Sequence, residues 1–366
     1  MSLTWRQALG WRLRRHLLDP VGSAPAHDVV RRLVAVPAAG RTDLAVGARS
    51  TDSQPGEVPA ALADGRLVMV YAWRGATHLM APAGAADALA VRAASRMWER
   101  KSWREYYHLE PADWPALRAV VREALADGPL TRAELGAAVT AVPRFAHLGF
   151  AFADPSHTLL KAFTWQGDMS FGPSRQGRVT FQRLDTNPHW PGLPDAGDAG
   201  PRAVAAYVRA YGPTTPGHLD YWLGQGLGAG RRRVRAWLTG LGDRLVEVDV
   251  DGAGALVLAE DAAALAAAEA SNAVRLLPAH DQWVLGPGTA DVRVVPPARR
   301  AVVSHGADLV VAGGVVSGTW QQRDGRIEVS WFAEAGAAPE EALTAEVQRL
   351  GTLLGTTEVS VEPDPG

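Results

Sequence analysis

The chain contains no cysteine, which removes thiolate nucleophiles, disulfides, iron–sulfur clusters and cysteine-based structural zinc sites from the chemistry open to it. The motifs that cradle nucleotide phosphates (Gly-x-x-x-x-Gly-Lys), expose a nucleophilic serine (Gly-x-Ser-x-Gly) or hold zinc (His-Glu-x-x-His) are missing too. Ten histidines are scattered without metal-ligand spacing, so neither a metal nor another cofactor is expected. The densest polar cluster, His280-Asp281-Gln282-Trp283, reads as a satisfied turn. What remains is arginine: only Lys101 and Lys161 are lysines among the 37 basic residues. The planar guanidinium suits bidentate contacts with phosphate, although a high-GC coding sequence produces the same excess.

Arginine is concentrated in three places. Gly224-Gln225-Gly226-Leu227-Gly228-Ala229-Gly230 runs into Arg231-Arg232-Arg233-Val234-Arg235, a glycine-rich approach to a helix amino end, which favours anions. A solvated basic helix explains the same residues. As a dinucleotide fingerprint the run fails, because no strand precedes it. Arg175 and Arg178 flank one expected hairpin tip, and Arg74 lies in another beside Trp73. Such tips reach the backbone or minor groove of nucleic acids, and ordinary solvent exposure is the competing account. Of thirteen tryptophans, Trp5, Trp98, Trp103, Trp114, Trp222 and Trp237 fall on apolar helical faces, whereas Trp73, beside Arg74 at a hairpin tip, is the ring to test for stacking on DNA.

The elements that must position these residues recur along the chain. In Trp114 to Val139 an apolar-periodic helix is broken by Asp127-Gly128-Pro129, and a second helix opens on Thr131 with Glu134 three residues on, a capping box. Arg202 to Gly224 repeats the plan, with Gly212-Pro213-Thr214-Thr215 as the break and Pro216 at a first-turn position. A third helix and a hairpin follow each: Met169 to Phe171 with Val179 to Phe181, and Arg244 to Asp249 with Ala255 to Ala259 across Asp251-Gly252. The same order fits helices at His27 to Val36, Arg41 to Arg49 and Glu57 to Ala63, then strands Leu67 to Tyr71 and Thr77 to Met80. Helix, turn, helix, helix, hairpin is the winged helix-turn-helix, built to lay one helix in a major groove.

The expected fold is therefore α+β: three tandem winged-helix units and a small C-terminal β-barrel, arranged as a C around a basic groove. The boundaries are 1–100 for an N-terminal helix plus the first unit, 101–190 and 199–270 for the next two, and 271–366 for the barrel. The leading helix, with Trp5, Leu9, Leu13 and Leu17 in one stripe, should pack across the units. Pro191 to Gly200 reads as a linker. Val274 to Leu277, Ala301 to Val303, Leu309 to Val311, Val315 to Gln321 and Ile327 to Phe332 read as barrel strands, and Glu340 to Leu354 as a closing helix before a last strand near Val359 to Val361.

A net charge of −2 rules out a histone-like coat of positive charge but not a local basic groove. Met1 to Leu18 carries four arginines and lacks the apolar core of a signal peptide, and no stretch has membrane-spanning length. A cytoplasmic protein with no membrane contact is expected.

Four segments, Arg74-Gly75-Ala76-Thr77-His78-Leu79, Ala210-Tyr211-Gly212-Pro213-Thr214-Thr215-Pro216, Val274-Arg275-Leu276-Leu277-Pro278-Ala279-His280-Asp281 and Gly318-Thr319-Trp320, resemble in that order signature stretches of the AlkZ/YcaQ family of DNA glycosylases. The resemblance implies double-stranded DNA as partner, a monomer, and excision of N7-alkylated purines, in actinobacteria often as self-resistance to DNA-alkylating antibiotics. N7 alkylation already weakens the glycosidic bond, so the enzyme mainly positions water and stabilises an oxocarbenium-like sugar. In the family a Gln-x-Gln or Gln-x-Asp pair does this. Here the matching stretch reads Val36-Pro37-Ala38-Ala39-Gly40: Pro37 and Ala39 occupy the pair's positions, and neither can orient a water. Asp43, Gln54 and His78 are the nearest substitutes. Two readings stay open, a glycosylase with a diverged site and a protein that recognises damaged DNA or regulates transcription without cutting. The DNA contacts expected in either case are Trp73, Arg74, His78, Arg175, Arg178, Arg231, Arg232, Arg233 and Arg235.

Overall fold

The structure is a computed structural model that describes residues 3–364. Its first helix, Trp5–Arg15, is closed at the amino end by a Thr4/Gln7 capping box. Leu9 and Leu13 join Trp283, Leu309 and Val311 of the C-terminal part, while Ala8 and Trp11 pack on Val250, Ala255 and Val257 of a hairpin. The helix is thus a wedge between that hairpin and the C-terminal sheet, rather than a stripe laid across the repeats. It is buried on two faces, and its glycine explains one: a Cβ at Gly10 would lie 2.2 Å from the Glu269 carbonyl oxygen.

Three stretches then share the order of helices and hairpin. The first has helices Ala26–Arg32, Thr42–Gly47 and Glu57–Ala63 and a three-stranded sheet in which Thr77–Met80 lies between Val36–Pro37 and Val68–Tyr71. The second has Trp114–Ala124, Arg132–Thr140 and Thr158–Trp165, then Met169–Arg175 paired with Arg178–Arg183. The third has Ala196–Tyr211, Pro216–Leu219 continuing as a π-helical turn Asp220–Gly226, then Arg231–Leu241 and the hairpin Leu245–Val250 with Ala253–Leu258. Both later hairpins close through two residues with positive φ, Gln176-Gly177 and Asp251-Gly252, the geometry that follows the twist of the strands. The Thr131/Glu134 capping box is formed.

These stretches are not beads on a string. One apolar cluster runs from Ala35 to Leu258 and takes in Trp73, Trp114, Trp165, Tyr207, Trp222 and Trp237. The helix Pro82–Ala93, which the repeat does not account for, packs against Ala196–Tyr211 within it. The stretch read as a linker is largely the start of that second helix: Asp195 accepts from the Gly197 amide at 2.6 Å and caps it, and Gly200 leaves room for the Trp237 ring. Gly200 there serves close packing, not flexibility.

The C-terminal part is a five-stranded open sheet in the order Val359–Asp364, Arg326–Phe332, Val315–Arg323, Asp308–Ala312, Val274–Leu277. The first of these pairs in parallel with its neighbour, the rest antiparallel. The expected closed barrel is corrected here, and the strands show why. Leu309, Val310 and Val311 are buried consecutively, so both faces are apolar, whereas a barrel strand alternates. One face packs on the first helix, and the other on Leu343, Val347 and Leu350 of the helix Glu340–Arg349, which also makes the crossover that a parallel partner requires. Ala301 to Val303 is corrected too: it lies in the helix Arg300–Ser304, started by the proline turn Pro297–Arg299. A wholly buried ion pair, Arg49 to Asp281 at 2.6 and 2.9 Å, ties the first stretch to this sheet.

Candidate nucleic-acid interface

The corner between Val68–Tyr71 and Thr77–Met80 is built on backbone bonds from Gly75 N to Ala72 O (3.1 Å) and Ala72 N to Ala76 O (3.0 Å). It needs positive φ at Arg74 (53°) and Gly75 (71°). Trp73, expected at an exposed tip, is only 3% exposed and stacks on Trp222 at 4.6 Å. The correction has a simple cause: the tip does not end in solvent but packs on the π-helical turn, where Gly226 has no side chain and a Cβ would sit 2.7 Å from the Trp73 ring. The ring is core, and its neighbour carries the charge. Arg74 is exposed and lays its guanidinium over Tyr221 at 4.2 Å.

His78 stands directly across from Pro37 in one register and from Val70 in the other. Residues paired across an antiparallel ladder point to the same face, so His78 is the polar side chain of the row that Pro37 belongs to. It is 5% exposed, and its Nδ1–H donates to the Ala76 carbonyl at 3.0 Å, which leaves Nε2 as the acceptor. Burial pushes its pKa down to about 4, so at neutral pH the ring is uncharged and a weak base. Pro37 is half-buried and Ala39 exposed, in a turn tied down by Ala38 N to Thr77 O at 2.9 Å. Asp43 is exposed in the first turn of Thr42–Gly47, and Gln54 is exposed in the loop before Glu57–Ala63. Neither belongs to the His78 row.

In the helix Arg231–Leu241, Val234, Trp237 and Leu241 are buried, and Arg231, Arg232, Arg233 and Arg235 all lie on the exposed side. Arg231 pairs with Asp220 at 3.3 Å, one residue from the Tyr221 that carries Arg74. The structure therefore brings Arg74 and Arg231 to one turn, two residues 157 positions apart in sequence. Arg233 reaches the Ala229 and Ala94 carbonyls, each at 3.2 Å. The side chains of Arg232 and Arg235 make no hydrogen bond or ion pair among the described residues. At the other hairpin tip the two arginines differ: Arg175 is ion-paired with the capping Glu134, while Arg178 is exposed beside Val179, which is 49% exposed.

Sequence reasoning missed Lys161. Its stem lies 3.4 Å from where a Gly75 Cβ would be, and its ammonium sits 5.6 Å from the Tyr71 ring centre. Desolvation lowers its pKa. Rarity was the available signal, since it is one of two lysines. Tyr71 in turn hydrogen-bonds Nδ1 of His157 at 2.5 Å. Among the described residues no three His, Asp or Glu side chains converge as metal ligands, and no helix is long and apolar enough to cross a membrane.

Comparison with known proteins bears on the whole of this arrangement. A family model described as "DNA glycosylase AlkZ-like" matches residues 30–353. An interstrand DNA cross-link repair glycosylase of Streptomyces sahachiroi is 32% identical over 369 residues, covering 99% of each chain. The solved structure of the S. sahachiroi DNA glycosylase AlkZ superposes with a TM-score of 0.93 at 32% identity, covering all of both chains.

Proposed function

The chain belongs to the AlkZ-like DNA glycosylase family, and from that premise we propose that it binds alkylated duplex DNA through winged-helix-type units and releases N7-alkylated purines from a diverged site. The observation that carries the reading is the similarity over the full length, 0.93 in TM-score, together with an arginine face on Arg231–Leu241 that the core has no use for. DNA contacts are assigned to Arg74, Arg178, Arg231, Arg232, Arg233 and Arg235, with Arg175 available once its pair with Glu134 opens. Trp73 and His78 act from beneath the surface, by shaping the corner.

At the row where the family's glutamine pair is expected, Pro37 offers no polar group, and the nearest one is the neutral imidazole of His78. A neutral imidazole can accept a hydrogen bond from water and so orient it, without taking a full proton at pH 7. A cationic leaving base makes that modest help sufficient in principle, since departure of the neutral purine carries most of the driving force. A second reading, recognition without excision, is favoured by one specific observation, the lack of a polar side chain at both Pro37 and Ala39.

The two readings part in one assay. Excess protein is incubated with duplex containing a single N7-methylguanine or a bulky N7 adduct, and abasic sites are scored by alkaline cleavage. Product above the buffer rate supports excision. Binding to that duplex with no product leaves recognition alone.

A further inference from the structure

Four arginines are buried among the described residues: Arg12, Arg49, Arg92 and Arg299. Three of them reach an oxygen, Arg12 at the Pro213 carbonyl, Arg49 at Asp281 and Arg299 at Glu334. Arg92 does not. It is 6% exposed at the end of Pro82–Ala93, its Nε is sealed without a partner, and its Nη2 faces only the Met97 sulfur at 3.8 Å. The guanidinium stacks on Trp165 at 4.3 Å, which holds its plane but supplies no negative charge. The charged groups that act on it are themselves cationic, Arg100 and Lys161. Burial of a guanidinium with no acceptor is costly, and the unused edge shows what would offset it.

That edge, Nη1, lies against Gly228, where a Cβ would be 2.8 Å away. Gly228 has φ of 72° and belongs to the glycine-rich approach to Arg231–Leu241. The helix has eleven residues, and its N-cap, Gly230, offers no side-chain cap. The amides of its first turn are left for an external acceptor. Arg233 fastens this amino end to the Ala94 carbonyl, two residues beyond Arg92. An uncapped helix amino end, a glycine lying against Nη1 and a buried guanidinium with no oxygen acceptor thus meet at one place.

We propose that Arg92, Gly228 and the amino end of Arg231–Leu241 form a seat for one phosphate of the DNA backbone. The inference rests on the duplex-binding reading above and sharpens it by naming a phosphate contact made from inside the protein, not by an exposed arginine. Inorganic phosphate presents the same oxygens, so the two sources are separated by experiment.

Arg92→Met keeps the stem and removes the charge. A structural role for the guanidinium predicts a lower melting temperature. The seat predicts one unchanged or raised, because a buried unpaired charge is gone, with duplex affinity reduced and its log–log salt dependence shallower by about 0.9. Neutral methylphosphonate, walked singly along the duplex, should weaken the wild type at one position by about tenfold and leave Arg92→Met indifferent there. Identical methylphosphonate profiles for the two proteins would overturn the proposal. Should Arg92→Met not fold, Arg92→Gln and Gly228→Ala, which sets a methyl against Nη1, serve the same comparison. Should the wild type bind no duplex, the functional reading fails by itself. Inorganic phosphate then tests the seat alone, through shifts of the Arg231, Arg232 and Arg233 amide resonances that depend on Arg92. Saturable shifts with no sensitive phosphodiester position would assign the seat to free phosphate and overturn the DNA contact.

Discussion

The row at Pro37 and His78 and the arginine face of Arg231–Leu241 lie in stretches of the same plan, yet they are opposite in character. At the first, Pro37 and Ala39 offer no polar side chain, and the imidazole of His78 is buried and neutral. At the second, four arginines are exposed and two of them have no partner among the described residues. On the proposed reading, the difference teaches that holding a duplex and cutting a glycosidic bond place separate demands on this fold. Phosphate contact needs only cationic groups within reach of the backbone, whereas water positioning needs donors and acceptors fixed within a fraction of an ångström.

The most forceful way to break the contrast is to restore the pair. Pro37→Gln with Ala39→Gln puts a polar side chain at each of the two positions. Excision of N7-methylguanine, scored as abasic sites, should rise by about 10²–10³-fold, the scale of one well-placed transition-state hydrogen bond. No gain with duplex binding intact would mean that the row is not where the chemistry happens.

The burial of His78 is tested through pH. Its ring stays neutral in the folded protein down to about 4, against an ordinary value of 6.5, so the unfolded chain takes up the proton first. The associated stability is complete above about 6.5 and is lost as pH falls toward 4, by up to about 3 kcal/mol. Urea unfolding at pH 7 and pH 4.5 should show His78→Gln losing less stability than wild type over that interval. Its curve should still slope, because burial lowers the pKa of His16 as well. Parallel curves would mean that burial does not hold the His78 ring neutral.

On the arginine side, Arg231→Ala, Arg233→Ala and Arg235→Ala combined should weaken duplex affinity by about 10- to 100-fold and flatten the salt slope by about 2 to 3. The expected change for Arg178→Ala at the hairpin tip is smaller, no more than one phosphate's worth, about 0.9 in slope. A larger effect at Arg178 than in the triple variant would reverse the assignment of the main contact.

Much of this could be read before any coordinates. Asp251-Gly252 announces its hairpin because both turn residues need positive φ, and Thr131 with Glu134 announces a helix start because both ends of the capping box are local. The barrel could not be read correctly. A strand buried on both faces and a barrel strand are both short apolar runs, and only the packing of Glu340–Arg349 against one face decides. Trp73 misled for the same reason: sequence shows a hairpin tip and shows Gly226, but not that the second lies against the first and lets another element cover it. That Pro37 and Ala39 cannot orient a water was legible because it depends on residue identity alone. Arg92 was not, since a buried arginine without a partner looks in sequence like any arginine near a helix end.

Equilibrium binding of the full chain to a duplex carrying one N7-alkylguanine, set beside the same duplex unmodified and repeated from 50 to 200 mM salt, tests the central claim most directly. The account predicts saturable binding to both, tighter on the modified duplex, with affinity falling steeply as salt rises. Absence of saturable binding, or affinity that salt and the alkyl group leave unchanged, would contradict it.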